Sequence, residues 1–266
     1  MSTTAVGPLL KAWRTARKKS QLALAGEAGI STRHLSFVET GRSVPSREMV
    51  LTLAEALAVP LRERNALLAA AGYAPVFPET PLDASAMADI RCALVQIVTA
   101  SEPNPTFVVN RRSDVLLTND AGLRLLAFFA PEWRGRNNIA LLVLSPQGLR
   151  PAIENWAEIA AHVIQRVRAE LAAATNRDSA DELVLQRAIA AEAELGAPHA
   201  ARTRPPSLLV PVKLRRDGVA LDLFTTITTV GTPLDVTLQE LRIETQFPAN
   251  AEARAALATM MAADAD

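Results

Sequence analysis

Apolar positions recur every three or four residues over five short stretches at the start of the chain: 8–17, 21–28, 32–40, 47–58 and 61–71. That period predicts five short amphipathic helices. Ser20, Ser31 and Ser46 fall where N-caps are wanted, Gly29 and Gly41 where helices end, and Pro45 and Pro60 in the breaks before the fourth and fifth helices. The stretch YAPVFPETPLDA (73–84) then places Pro75, Pro78 and Pro81 close together. Proline at this density cannot continue a helix and stiffens a connection. The expected division is therefore an all-α five-helix domain over 1–73, a proline-rich linker over 74–84, and a second domain over 85–266.

The pattern changes after the linker. Leu82–Ala100 reads as a helix. TFVVNRRSDVLLTND (106–120) reads as two strands about a polar turn at Asn110–Asp114. Ala121–Phe129 reads as a short helix, and Ile153–Ala174 and Asp181–Leu195 as long amphipathic ones. SLLVPVKLRRDGVALDLFTTITTV (207–230) has the form of a hairpin turning at Arg216-Asp217-Gly218, its second arm rich in β-branched residues. LQELRIETQFP (238–248) reads as a last strand before a helical tail. This order predicts an α+β domain, an antiparallel sheet with flanking helices.

Charge adds an asymmetry. The chain has 28 Lys+Arg and 28 Asp+Glu, yet residues 1–73 hold 10 basic and 5 acidic residues, a net +5 against −5 in the remainder. A basic first domain fits either a polyanion contact or a solvated surface. Aromatic residues are only 4% of the chain, so the core rests on Leu, Ala and Val. Cys92 is the only cysteine, so no intramolecular disulfide forms, which fits a reducing cytoplasm. The expectation is a cytoplasmic protein without export signal or membrane span; IALLVL (139–144) is among the longest apolar runs.

QLALAGEAGISTRHLSFVETGR (21–42) carries the most specific chemistry. At 100° per residue, Leu35 and Val38 mark the buried side of the third helix. Thr32, Arg33, Ser36 and Phe37 form the opposite face. Arginine pairs with guanine, hydroxyls read several base edges, and an aromatic ring can lie on a thymine methyl. The alternative for Phe37 is packing against the linker or a partner domain.

The segment resembles the Cro/repressor (XRE-type) class of helix-turn-helix domains. Ser20-Gln21, Leu24-Ala25, Gly29-Ile30-Ser31, Leu35, Val38-Glu39 and Gly41-Arg42 carry the likeness. It implies that Gln21 contacts a phosphate and braces the recognition helix, that Ser31, Thr32, Arg33 and Phe37 occupy base-reading places with Ser36 beside them, and that Arg42 contacts a phosphate. It also implies an Arg14–Glu39 ion pair between the first and third helices. Arg17, Lys18 and Lys19 are candidates for further phosphate attraction.

The likeness continues beyond the linker. STRHLSFVETGRSVPSREMVLTLAEALAVPLRERNALLAAAGYAPVFPETPL, FVVNRRSDVLLTNDAGLRLL, LSPQGLRPAIENWAEIAAHVIQRV and TTITTVGTPLDVTLQELRIETQFP resemble two-domain regulators with an MmyB/MltR-like ligand-binding domain. That resemblance implies a PAS-like second domain and a transcription regulator sensing a small molecule, with apolar or fatty-acyl effectors suited to the fold. The expected partners are double-stranded DNA, a small-molecule effector and a second copy of the chain. Residues with apolar bulk and a polar handle make the pocket candidates: Phe107, Asn119, Phe128, Phe129, Trp156, His162 and Phe224. Each has a core reading beside the ligand reading. His34, His162 and His199 are scattered, and no Cys/His set for metal or haem stands out; no cofactor and no catalytic residue are expected. G-x-S-x-G, H-E-x-x-H and phosphate-loop patterns are missing, which argues against an enzyme. A protein-binding adaptor, or a minor enzymatic second domain, stands as the alternative.

Overall fold

The computed structural model describes residues 6–172, 178–196 and 210–262. The chain divides into two compact units. The first is Met1–Pro81 together with Thr232–Gln239; the second is Leu82–Gly231 together with Glu240–Asp266.

The first unit contains α1 (Val6–Ala16), α2 (Gln21–Glu27), α3 (Thr32–Glu39), α4 (Arg47–Ala56) and α5 (Leu61–Ala70). Ser20, Ser31 and Ser46 cap α2, α3 and α4, each hydroxyl oxygen accepting from a backbone N–H three residues on. Gly29 and Gly41 take positive φ values of 66° and 74° just past α2 and α3. Leu10, Leu24, Leu35, Val38, Val50, Leu53 and Leu67 meet in one core. Gly7 matters to that core because a Cβ there would lie 2.3 Å from the Val38 carbonyl oxygen. Only glycine lets α1 approach the end of α3 so closely.

The linker does not run free of the helices. The Asn65 side-chain oxygen accepts from the Val76 and Phe77 amides, and its Nδ2 donates 2.7 Å to the Phe77 carbonyl. Tyr73 donates to the Pro45 carbonyl, and Arg62 pairs with Glu79. A second segment, which the sequence pattern places in the second domain, belongs to this unit: Thr232–Gln239, which includes most of α11 (Val236–Glu240). Asp235 is buried and accepts from the Thr80 and Thr237 amides. Val236 donates its amide to the Pro78 carbonyl. Gln239 Oε1 accepts from the Leu61 amide at 2.7 Å, capping α5, whose own N-cap is Pro60 and supplies no side-chain bond.

The second unit is built on a five-stranded antiparallel sheet in the order β2-β1-β5-β4-β3: β1 Thr106–Val109, β2 Val115–Thr118, β3 Val212–Arg216, β4 Val219–Thr229, β5 Arg242–Pro248. Its helices are α6 (Ala88–Ala100), α7 (Asp120–Phe129), α8 (Ile139–Leu144), α9 (Trp156–Val167), α10 (Ser179–Leu195) and α12 (Ala251–Ala262). Leu214, Leu221 and Leu223 of the sheet pack with apolar residues of α7 to α10 and α12 in one core. The fold is thus an N-terminal helical domain and a C-terminal α+β domain.

Several boundaries differ from expectation. The 82–100 helix begins only at Ala88, after a 3-10 turn at Ser85–Met87. The helix from 153 begins at Trp156 and passes into a π-helical turn at Arg168–Ala172; its expected end at 173–174 lies outside the described residues. Leu238–Glu240, read as strand, is helical. Residues 139–144, legible only as an apolar run, form α8, with Ala140–Leu144 all buried. A helix buried on all sides has no polar face, so periodicity could not reveal it. Residues 207–209 of the expected hairpin lie outside the described residues.

Candidate DNA-reading face and sensing cleft

The face of α3 opposite its buried leucine and valine is open. Leu35 and Val38 are 0% and 1% exposed, whereas Arg33 is exposed and Thr32, Ser36 and Phe37 are half-buried. What half-buries Phe37 includes two cations. The Arg33 guanidinium carbon lies 5.4 Å from the ring centroid, one helical turn away, and that of Arg42 lies 5.9 Å from it. The second contact follows from how α3 ends. Gly41, left-handed, lets the Arg42 amide donate 2.8 Å back to the Phe37 carbonyl, with the Gly41 amide on the Val38 carbonyl. This Schellman pattern sets residue 42 against residue 37.

Glu39 anchors the helix from behind. It is only 4% exposed, and Arg14 donates to both its oxygens at 2.6 and 2.9 Å. Gln21 Nε2 donates to the same carboxylate at 2.7 Å. Burial pushes the Glu39 pKa up, but the hydrogen bonds from Arg14 and Gln21 and the guanidinium charge outweigh it, and the net shift is downward. The Arg14 guanidinium is shifted upward, chiefly by its hydrogen bond to Glu39. Arg14 also donates to the Lys19 carbonyl, tying α1, α3 and the turn before α2 together. Ser31 carries the N-cap of α3, so its oxygen is engaged while the residue stays exposed.

The positive charge of this unit is not all available. Arg17 donates to the carbonyls of Leu57 and Ala58, and Lys19 to that of Ala56 and to Glu27. These cations satisfy the C-terminus of α4. Lys18, exposed at a positive φ of 54°, makes no such bond among the described residues. Neither do the Arg33, Arg42 and Arg47 side chains, which form no ion pair or hydrogen bond among the described residues. Folding therefore engages part of the charge that the sequence carries, and leaves the cations around α3 open to a partner.

The second unit holds a cleft of about 660 Å³ between α7, the β3–β4 turn and α12. Ala127, Phe128, Val219, Ala220, Ala256 and Met260 give it apolar walls, and Arg124 and Thr259 supply the polar groups. Arg124 donates to the Met261 carbonyl, which holds the guanidinium at the rim of α12. Arg124 and Phe128 are one turn apart on α7, so their spacing in the sequence is a signal that could have paired them.

Of the seven pocket candidates, only Phe128 lines this cleft. Phe107 and Phe129 are core residues, 3% and 2% exposed. Asn119 is engaged in structure: its side chain caps α7 through the Gly122 amide, accepts from the Thr106 amide and donates to the Asn104 carbonyl. Trp156 donates its indole N–H to the Val143 carbonyl at 3.0 Å, and Arg150 covers its ring at 3.8 Å. His162 is exposed on α9. Phe224 stacks on Phe247 across β4 and β5 with centroids 5.6 Å apart. A polar handle suggests a ligand contact, but in Asn119 and Trp156 the handle satisfies backbone within the fold.

Among the described residues no group of three or more His, Cys, Asp or Glu could hold a metal, and no helix is long and apolar enough to cross a membrane.

A helix-turn-helix unit with an open cationic face, on the same chain as an α+β unit with an apolar cleft, defines the class of ligand-responsive transcription regulators. The chain belongs to the family described as the MmyB-like transcription regulator ligand binding domain, whose model matches residues 90–260, and residues 10–64 match a helix-turn-helix family. Both families are binding and regulatory ones rather than enzymatic. No curated protein matches the sequence.

Proposed function

We propose that this regulator binds DNA sequence-specifically as a homodimer in the cytoplasm and that its second unit senses an apolar or fatty-acyl small molecule. One observation carries the DNA half: Arg33, Phe37 and Arg42 form a cationic-aromatic surface on the outward side of a rigidly braced α3. Ser31, Thr32, Arg33 and Phe37 face bases with Ser36 beside them; Gln21 and Arg42 face phosphates. Arg14 and Glu39 fix the helix from behind and touch no DNA. One helical head buries little duplex, so two copies on a palindrome supply the specificity.

The cleft supports the sensing half. Its volume is within the range of small-molecule sites, and one cation and one hydroxyl on a mainly apolar lining suit a chain with an anionic head.

The test is fluorescence anisotropy on duplex DNA over a salt series, with Arg33→Ala alongside. Affinity should fall steeply as salt rises. Arg33→Ala should lose discrimination between sites while keeping most non-specific binding. Salt-independent binding, or unchanged discrimination, refutes the assignment. Native mass spectrometry of protein purified from its own host reports a retained effector and the subunit count together.

A further inference from the structure

We infer that Arg33 and Phe37 act as one reading unit that selects a guanine and, within two base pairs of it, the C5 methyl of a thymine. The inference rests on the DNA-binding reading above and names what that face reads. Four observations support it. The guanidinium and the ring are in contact, 5.4 Å from cation to centroid, so they read one continuous patch of groove rather than two separate ones. Successive base pairs rise about 3.4 Å, so groups this close reach pairs no more than two steps apart. The Arg33 side chain forms no ion pair or hydrogen bond among the described residues, so its donor fork is free to take guanine O6 and N7 together. Phe37 has no polar atom beyond the backbone, so its side chain distinguishes bases by apolar contact, and the thymine methyl is the apolar group of the major groove.

Arg42 completes the unit without reading sequence. Its place against the same ring is set by the backbone bond from residue 42 to the Phe37 carbonyl. That keeps a second cation against the ring, 5.9 Å from its centroid. A ring so held loses little freedom when a methyl meets it, which is what makes so small a group readable.

The experiment uses the full-length protein. Binding sites are selected from a randomised duplex library, and the thymine at the deduced position is replaced by deoxyuridine. That change deletes one methyl and leaves every hydrogen-bonding group in place. Wild-type affinity should fall about fourfold, the amount expected for one buried methyl. Phe37→Ala should bind the two duplexes equally, and Phe37→Leu should keep part of the difference. Arg33→Ala should lose the guanine preference while keeping the thymine–deoxyuridine difference. Equal wild-type binding to thymine and deoxyuridine duplexes would overturn the inference while leaving DNA binding intact, as would an enriched motif with no guanine within two base pairs of a thymine. Selection of no motif, with no salt-dependent binding, would overturn the DNA-binding reading itself.

Discussion

Replacing Glu39 with glutamine tests the brace behind the recognition helix. The carboxylate is buried and takes two hydrogen bonds from Arg14 and one from Gln21. An amide of the same shape removes the charge and turns an N–H toward one of these donors. Breaking a buried ion pair from one side costs about 3–5 kcal/mol. The Arg14 side chain keeps 13% of its exposure, so water partly solvates it and the lower end, roughly 3 kcal/mol, is the expected loss. The readout is hydrogen exchange of α1 and α3 amides in the full chain, where such a loss speeds opening by roughly two orders of magnitude. The pH dependence has a definite sign. The Glu39 pKa is lowered in the folded state, so its stabilisation is complete above the unfolded carboxylate value. That stabilisation is lost as pH falls through the lower folded value. The gap between wild type and Glu39→Gln should therefore be full at about pH 7 and shrink steadily on acidification below the ordinary carboxylate range. A variant whose α1 and α3 exchange at wild-type rates near neutral pH, or a gap that widens in acid, refutes the bracing role.

Gly7→Ala should destabilise the first unit by about 1–3 kcal/mol, because the new methyl meets two backbone carbonyls of α3 that cannot move aside; chemical denaturation measures it. Ala58 follows α4 in a left-handed conformation with φ 47°, so Ala58→Gly should stabilise by roughly 1 kcal/mol in the same assay. Gln239→Ala removes the cap on Leu61 and should cost about 1 kcal/mol, seen as faster amide exchange confined to the first turn of α5. Trp156→Phe loses its bond to Val143 and should cost about 1 kcal/mol in thermal unfolding without changing effector retention, whereas Met260→Trp should block the cleft and abolish it.

The sequence alone determined the elements whose signals are local. Five helix periods placed α1 to α5, and serine caps marked the starts of α2, α3 and α4, because a cap and its amide lie within three residues. The outward side of α3 was legible for the same reason: residues four apart on one helix must share a face. The hairpins around Asn110–Asp114 and Asp217-Gly218 were likewise marked by turn chemistry between alternating strands.

Only the tertiary structure decided how side chains were used. Arg17 and Lys19 read as free charge until α4 presents its carbonyls to them. Trp156, Asn119 and Phe107 resemble pocket residues until distant backbone and core claim them. Gln239 gives no sign of capping a helix 178 residues earlier. A hydrogen bond between residues far apart in sequence leaves no period to read. Its energy depends on which buried donors the folded unit leaves needing a partner, and that is settled only once each unit has folded.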